Sequence, residues 1–274
     1  MRRHLALLLL AGLTGCAAPQ APAPSSPPDH AITDQALAGW ETFPVDRVPR
    51  PLVRLLPSTD PVVVSGTGDW KVTVLTGALE LATGLPRGPV STPEGVPLVS
   101  AADAWAALSR PRPERAPGAT PTRLRVTSVT LGTTSVDTDR GAREVPAWLF
   151  GTDGPVLAWP ALEFFAPTAT PTLGGTTGGA KSTGNMITVS MPKARQGCPG
   201  NPIFRYEPEV RESRTAVAVG LRTVVTDQVV PGDPRGGACA QDTMLVMEEY
   251  QVTLAAPLGA RVLVDRLGWP VAVG

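Results

Sequence analysis

Proline and glycine constrain the fold of this chain more than any other feature of its sequence. The 274 residues include 31 prolines and 28 glycines, spread along the whole length. Proline interrupts helical hydrogen bonding and glycine weakens helices, so long helices are disfavoured. The length fits one large or two ordinary domains. We therefore expect a fold between α+β and mainly β, with short strands and many turns.

Charge and histidine content exclude several classes of function. Lys plus Arg and Asp plus Glu both number 24, so the chain lacks the basic balance of a nucleic-acid-binding protein. Its two histidines, His4 and His30, are both expected to precede the folded body. The usual base of a catalytic triad and the commonest zinc ligand would then be missing from that body. We expect no metal and no other cofactor.

The N-terminus has the features of a secretory signal. Arg2 and Arg3 precede an apolar run over residues 5–10, which is too short to span a membrane as a mature helix. The junction Leu13-Thr14-Gly15-Cys16 resembles the lipobox of bacterial lipoproteins. That resemblance implies cleavage after Gly15 and a diacylglycerol group on the sulfur of Cys16. The alternative is an ordinary cleaved signal in which Cys16 is incidental.

A spacer is expected between the lipidated cysteine and the folded body. Removal of residues 1–15 leaves 22 basic and 24 acidic side chains, a net charge of −2. Residues 16–30 then form a tether, because five of the twelve residues at 17–28 are proline. Such a stretch favours polyproline II at ~3.1 Å per residue, reaching up to ~37 Å. The expected location is the outer face of the cytoplasmic membrane, with the membrane as partner through the lipid anchor.

Residues 31–165 are predicted to form an α+β domain, an antiparallel sheet with one covering helix. β-branched runs at residues 62–64 and 71–75 flank a turn-forming cluster and predict a hairpin. Ser100 as N-cap, with Asp103 three residues later, predicts a helix over residues 101–109. Strands at residues 124–131, 145–150 and 156–159 predict a meander. Trp148 and Trp159 on these strands are expected in the core, the alternative being a recognition surface.

A second domain is predicted beyond a linker. Residues 166–184 are rich in Gly and Thr and predict that linker. Residues 185–274 contain no helical pattern and predict an antiparallel, sandwich-like β domain. Its expected strands share an apolar or alternating pattern and lie at residues 186–191, 215–225, 245–254, 261–264 and 269–273.

The cysteines predict one disulfide. If Cys16 is lipidated, Cys198 and Cys239 are the remaining thiols of a protein outside the cytoplasm, where such a pair is expected to oxidise. In the chain-entropy description, closing a loop of this length stabilises the fold by ~3 to 4 kcal/mol. A redox or metal pair is the weaker alternative, because CxxC spacing and histidine are both missing.

Other segments resemble known binding or catalytic motifs in part. Residues 175–182 approach a phosphate-binding loop, but Ala180 stands before Lys181 where glycine is required, and a strand follows instead of a helix. Residues 137–141 resemble the start of a calcium loop that lacks its later ligands. Two pairs of acids, Glu207 with Glu209 and Glu248 with Glu249, could supply an acid and a base.

Two further segments carry a family resemblance. Residues 140–150, which include Val145-Pro146-Ala147-Trp148, and residues 256–265 resemble uncharacterised secreted lipoproteins of actinobacteria. The resemblance implies no activity. We expect a non-catalytic, lipid-anchored surface protein that binds an envelope protein or glycan, the alternatives being a histidine-free carboxylate hydrolase and a structural wall-spanning protein.

Overall fold

The computed structural model describes residues 30–55, 62–65, 70–89, 91–93, 95–111, 123–168, 177–195, 197–232 and 245–274. Within these ranges the chain forms eleven strands and two short α-helices. This confirms the expectation of a mainly β fold. No helix among the described residues has the length and apolar character that crossing a bilayer requires.

The first sheet has five strands in the order β1-β5-β4-β3-β2. These strands are β1 (Val62–Ser65), β2 (Leu79–Leu81), β3 (Leu124–Thr138), β4 (Gly141–Thr152) and β5 (Val156–Pro160). The predicted meander is confirmed, since β3, β4 and β5 pair antiparallel in succession. A wholly antiparallel sheet was the wrong expectation, because β2 pairs with β3 in parallel. A parallel pair needs a long crossover connection, and the chain between β2 and β3 includes helix α2 (Ala101–Leu108).

Helix α2 (Ala101–Leu108) begins as predicted. The Ser100 hydroxyl accepts a hydrogen bond from the Asp103 backbone N–H at 3.1 Å and donates one to the Asp103 carboxylate at 2.6 Å. The predicted hairpin is wrong, since residues 71–75 lie in helix α1 (Trp70–Thr76). Packing explains the difference, because α1 buries Val74 in the same core as Leu108, and tertiary contacts override the strand preference of β-branched residues.

One face of the first sheet packs against both helices. Phe150 and Leu157 lie in this core with Leu108. Trp148 is buried there, and its indole N–H donates to the Val99 carbonyl at 2.8 Å. Half-buried Trp159 packs against the same cluster. The expected core placement of both tryptophans is confirmed.

The C-terminal part has two three-stranded sheets, β10-β7-β6 and β11-β9-β8. Their strands are β6 (Ala180–Thr183), β7 (Met186–Pro192), β8 (Pro202–Glu212), β9 (Ala216–Val229), β10 (Met247–Thr253) and β11 (Val262–Val264). The prediction of purely antiparallel pairing is wrong for β11, which runs parallel to β9. The sequence also assigns residues 180–183 to the linker, whereas they form β6.

The long strand β9 contributes to a core on each of its faces. Val217, Val219 and Leu221 are buried with Ile187 and Val189 of β7. On the other face, Ala216 and Ala218 are buried with residues of the N-terminal segment, among them Ile32, Trp40 and Phe43. Residues 32–53 were predicted to belong to the first domain, yet they share a core with β9 and β11. The division at residues 31–165 and 185–274 stays a prediction.

Candidate functional site

The acidic pair Glu207 and Glu209 lies on the face of β8 opposite Tyr206 and Val210, and both residues are half-buried. The Glu207 carboxylate accepts hydrogen bonds from Arg205, at 2.7 Å, and from Arg222. The Glu209 carboxylate accepts one from Arg211 at 3.2 Å and one from the Ile32 backbone N–H at 3.5 Å. Both carboxylates are therefore engaged by arginine, an arrangement of paired charges that suits a structural ionic ladder.

The second acidic pair does not converge on one point. Glu248 and Glu249 are consecutive residues of β10 and both are exposed. Successive side chains of a strand point to opposite faces of the sheet. These two carboxylates therefore cannot act together on one substrate.

The two loop-like motifs are also accounted for by structure. Lys181 and Ser182 lie in β6, paired with Thr188 and Ile187 of β7, where no helix N-terminus is available to hold a phosphate. Asp137 is a paired strand residue opposite Ala142. Within the described ranges, no group of three or more metal-ligating side chains converges.

Asp139, at the β3–β4 turn, lies in a buried ion pair. Its carboxylate is 1% exposed and accepts from the Arg50 guanidinium at 2.5 Å and from the Val53 N–H at 3.1 Å. Arg50 also donates to the Ala260 carbonyl at 2.7 Å, and Arg140 donates to the Gly259 and Arg261 carbonyls. Burial and then the neighbouring Arg50 charge lower the pKa of Arg140. The cluster joins the first sheet to the C-terminal part, a structural role.

Asp265 is a second buried carboxylate with a structural role. Its Oδ1 accepts from the Leu267 and Trp269 backbone N–H groups, each at 2.9 Å, and so fixes the turn after β11. Burial raises the pKa of Asp265, and the hydrogen bonds from the backbone oppose that rise. At this turn the Trp40 indole N–H donates to the Gly268 carbonyl at 3.0 Å. The turn therefore secures the N-terminal segment.

The predicted cysteine sites are only partly within the described residues. Cys16 and Cys239 lie outside them. Cys198 is disulfide-bonded, and its carbonyl accepts from the Asn201 N–H at 3.0 Å just before β8. The pairing of Cys198 with Cys239 stays a prediction.

His30 does not precede the folded body, contrary to the expectation from the sequence. Its carbonyl accepts from the Leu221 N–H at 2.9 Å, which makes an antiparallel bridge at β9. Its ring meets that of Tyr206 edge-on, with 5.1 Å between centroids. Phe204 lies next to Tyr206, with 5.7 Å between their centroids. The chain thus joins the fold at a row of three rings.

An exposed aliphatic surface lies at one end of the C-terminal sheets, and we call it the apolar end. It consists of Val225 and Val229, each 55% exposed, Leu245, 60% exposed, and Val246, 40% exposed. Val225 falls on the same strand face as the buried Val217 and Val219 but farther along β9, and an irregularity in the β8–β9 pairing separates it from Val229. The apolar pattern of β9 therefore continues at Val225, beyond the residues that are buried in the core shared with β7.

Two contacts place Leu245 and Val246 at this same end. Tyr206 of β8 and Tyr250 of β10 pack against one core. The pKa of Tyr250 is raised by burial and, to a smaller extent, by the charges of Glu248 and Tyr206. Farther along, the Glu212 carboxylate accepts from the Ala255 N–H at 2.7 Å. Strands β8 and β10 therefore run in the same direction. The residues before β10 lie beside the start of β8, where Phe204 pairs with Val225.

The apolar end is the part of the site that sequence reasoning missed. Residues 215–225 show the alternating pattern of β9, but alternation alone does not reveal which of the alternating residues become buried. Comparisons with known proteins add no assignment: no family model, no curated protein and no solved structure matches this chain.

Proposed function

We propose that this protein is a non-catalytic lipoprotein, anchored by Cys16 to the outer face of the cytoplasmic membrane, that binds an envelope component through its apolar end. The match of residues 13–16 to the lipobox and the proline-rich residues behind it support the anchor. Two acyl chains on one cysteine are enough for stable membrane attachment.

The observation that carries the binding proposal is the exposure of four aliphatic side chains at one end. Contiguous exposed apolar surface of this kind marks interaction sites in soluble domains. Full burial of a Val or Leu side chain is worth ~1.5–3 kcal/mol, so covering these four half-exposed side chains is worth about 3–6 kcal/mol. That is sufficient for a contact reinforced by a tether.

The proposal of a non-catalytic protein rests on the contacts and orientation of the four candidate glutamates. Glu207 and Glu209 hold arginines, and Glu248 and Glu249 point apart, so neither pair supports the hydrolase alternative. We further infer that the two C-terminal sheets form a sandwich. Ile187 and Val189 of one sheet and Val217 and Val219 of the other share one buried core, which favours face-to-face packing.

Detergent phase partitioning of the expressed protein tests the anchor. Wild type and a matched control, Ser26→Ala, are expected in the detergent phase, and Cys16→Ser in the aqueous phase. Retention of Cys16→Ser in the detergent phase would contradict the anchor. Hydrolysis of an envelope glycan or ester by the purified protein, lost in Glu207→Gln, would instead establish the carboxylate hydrolase.

A further inference from the structure

Strand β3 of the first sheet is paired along one side and largely unpaired along the other. Its partner β4 lies beside it over nearly its whole length, whereas β2 reaches only as far as Val126. At the far end residues 53–55 take the side of β2, and the Leu55 N–H donates to the Asp137 carbonyl at 3.0 Å. Among the described residues, no strand pairs with residues 127–136 on this side.

The register with β4 shows which backbone groups of β3 face the unpaired side. Pro146 lies opposite Thr133, and its carbonyl accepts from the Ala161 N–H at 2.7 Å, on the side away from β3. The pair Thr133–Pro146 is therefore not hydrogen-bonded, and such pairs alternate with bonded ones in an antiparallel ladder. Odd-numbered residues of this stretch thus direct their N–H and C=O groups to the unpaired side. We call these residues the open edge: Val129, Leu131, Thr133 and Ser135.

The open edge lacks the features that usually protect an edge strand. Natural sheets discourage the addition of a strand with charged side chains, proline or bulges along their edges. Residues 128–136 contain no charged residue and no proline, and their register with β4 has no shift. Two other outer strands of this protein differ, since β8 carries Arg205 and Pro208, and β10 carries Glu248 and Glu249. The edge of β3 is therefore suited to pairing.

The side chains along the open edge indicate what an added strand would carry. Leu131 is 38% exposed, and half-buried Val129 packs against the core of the first sheet. Directly opposite side chains of neighbouring strands lie on one face, so apolar side chains opposite Leu131 and Val129 would extend this core. Asp137 is exposed at the other end of the stretch. A basic side chain of the added strand would complement its charge there.

We propose that the open edge binds an extended segment of a partner protein as an added antiparallel strand. In this mode of recognition, main-chain hydrogen bonds give affinity and alternate side chains give specificity. Residues 127–136 span about 30 Å at ~3.4 Å per residue, so the space between β2 and residues 53–55 accepts about eight residues. The partner segment is apolar opposite Leu131 and Val129, and basic near its N-terminus beside Asp137. This site lies on the first sheet and is independent of the apolar end.

Strand β3 of a second copy does not fit the same space, because β3 continues beyond the open edge in both directions. In a symmetric pairing centred on Gly132, Val126 of the second copy would lie beside Thr138, where Arg54 already forms a bridge. Thr138 of the second copy would lie beside Val126, where β2 is paired. A segment that leaves the sheet at both ends avoids both collisions.

Hydrogen exchange of the full-length protein, resolved by residue, tests the proposal. The probe is the capped peptide Lys-Thr-Val-Thr-Leu-Thr-Val-Thr, and the matched control is the same peptide N-methylated at its leucine and first valine. In the free protein, amides of the open edge should exchange faster than those of Thr130, Gly132 and Thr134, which bond to β4. The probe at ~1 mM should slow exchange at the open edge at least about tenfold, which corresponds to a Kd of ~0.1 mM or below. The control peptide should leave exchange unchanged.

Substitutions at Thr133 separate main-chain pairing from other contacts. The Thr133 N–H faces the unpaired side, so Thr133→Pro removes a donor of the open edge and spares the ladder with β4. The probe should slow exchange in Thr133→Ala as in wild type, and much less in Thr133→Pro. Leu131→Lys, which places a charge on the edge, should also abolish the effect, and it serves as the test if Thr133→Pro does not fold.

Three other outcomes would overturn the proposal. Equal slowing by the probe and the N-methylated peptide, or no slowing by either at ~1 mM, would show that the edge does not accept a strand. Slow exchange at the open edge of the dilute free protein would show that the chain itself covers it. Slowing that grows with protein concentration in the absence of peptide would show that a second copy is the partner.

Discussion

Replacing Asp139 with alanine tests whether one buried ion pair holds the β3–β4 turn to the rest of the molecule. The substitution removes the acceptor of the Arg50 guanidinium and of the Val53 N–H. Arg50 keeps its hydrogen bonds to the Pro51 and Ala260 carbonyls and its position over the Phe43 ring, at 4.7 Å. Its charge, however, loses the only carboxylate that the described residues place in contact with it.

The expected loss of stability in Asp139→Ala follows from the burial of the ion pair. Asp139 is 1% exposed and the Arg50 side chain 16% exposed. Breaking a buried pair by removing one partner costs about 3–5 kcal/mol, because the remaining charge is left without compensation. A matched control is Arg214→Ala, which breaks a pair with Asp46 in which both side chains are largely exposed. Such surface pairs contribute about 0–1 kcal/mol.

Urea denaturation under oxidising conditions measures the unfolding free energy of both variants. Asp139→Ala should lower the unfolding free energy by several kcal/mol with an unchanged m-value, and Arg214→Ala by less than about 1 kcal/mol. If the two losses were equal, the buried pair would contribute no more than a surface pair. The interpretation of Asp139 as a structural link between the first sheet and the C-terminal part would then be refuted.

Three further predictions concern the C-terminal part. Asp265→Asn should stabilise the protein at pH 7 but not below about pH 3.9. Burial raises the pKa of Asp265, so the stability of the wild type falls as pH rises from the pKa of the unfolded state to that of the folded state. Denaturation at the two pH values checks this. Gly268→Ala should lower the stability of the fold by more than the ~1–2 kcal/mol expected for Gly184→Ala. Both glycines have positive φ, but of the two only Gly268 would place the new Cβ against a backbone oxygen, at 2.8 Å. Equal melting temperatures of the two variants would refute this. Cys198→Ser and Cys239→Ser should each cost ~3 to 4 kcal/mol, with one linked pair in non-reducing peptide maps; two free thiols would contradict the pairing.

Local signals in the sequence predict the elements that depend on neighbouring residues. The helix after Ser100 is predictable because its cap consists of residues three positions apart, and the β3–β4 hairpin because its strands adjoin one turn. Residues 71–75 were predicted wrongly because burial of Val74 against α2 decides their conformation. The parallel pairs β2–β3 and β9–β11 join distant segments, and no local pattern specifies such partners.

At the candidate site, too, features that depend on residues distant in the chain were not predictable from the sequence. The sequence indicates Glu207 and Glu209 as an acidic pair, but it does not show that arginines of β8 and β9 engage them. It also places His30 before the fold, because the bridge to Leu221 joins residues far apart in the chain. The apolar end depends on which apolar residues the shared core leaves exposed, and only the packed structure reveals this.

Lipidation of Cys16 is tested most directly by the mass of the N-terminal peptide. Protein extracted from membranes should give a first peptide that begins at Cys16 and exceeds its sequence mass by a diacylglycerol group, with or without a further acyl chain on the amine. The first peptide of Cys16→Ser protein should carry no such group. A wild-type chain that begins at another residue, or an unmodified Cys16 on membrane-bound protein, would contradict the account.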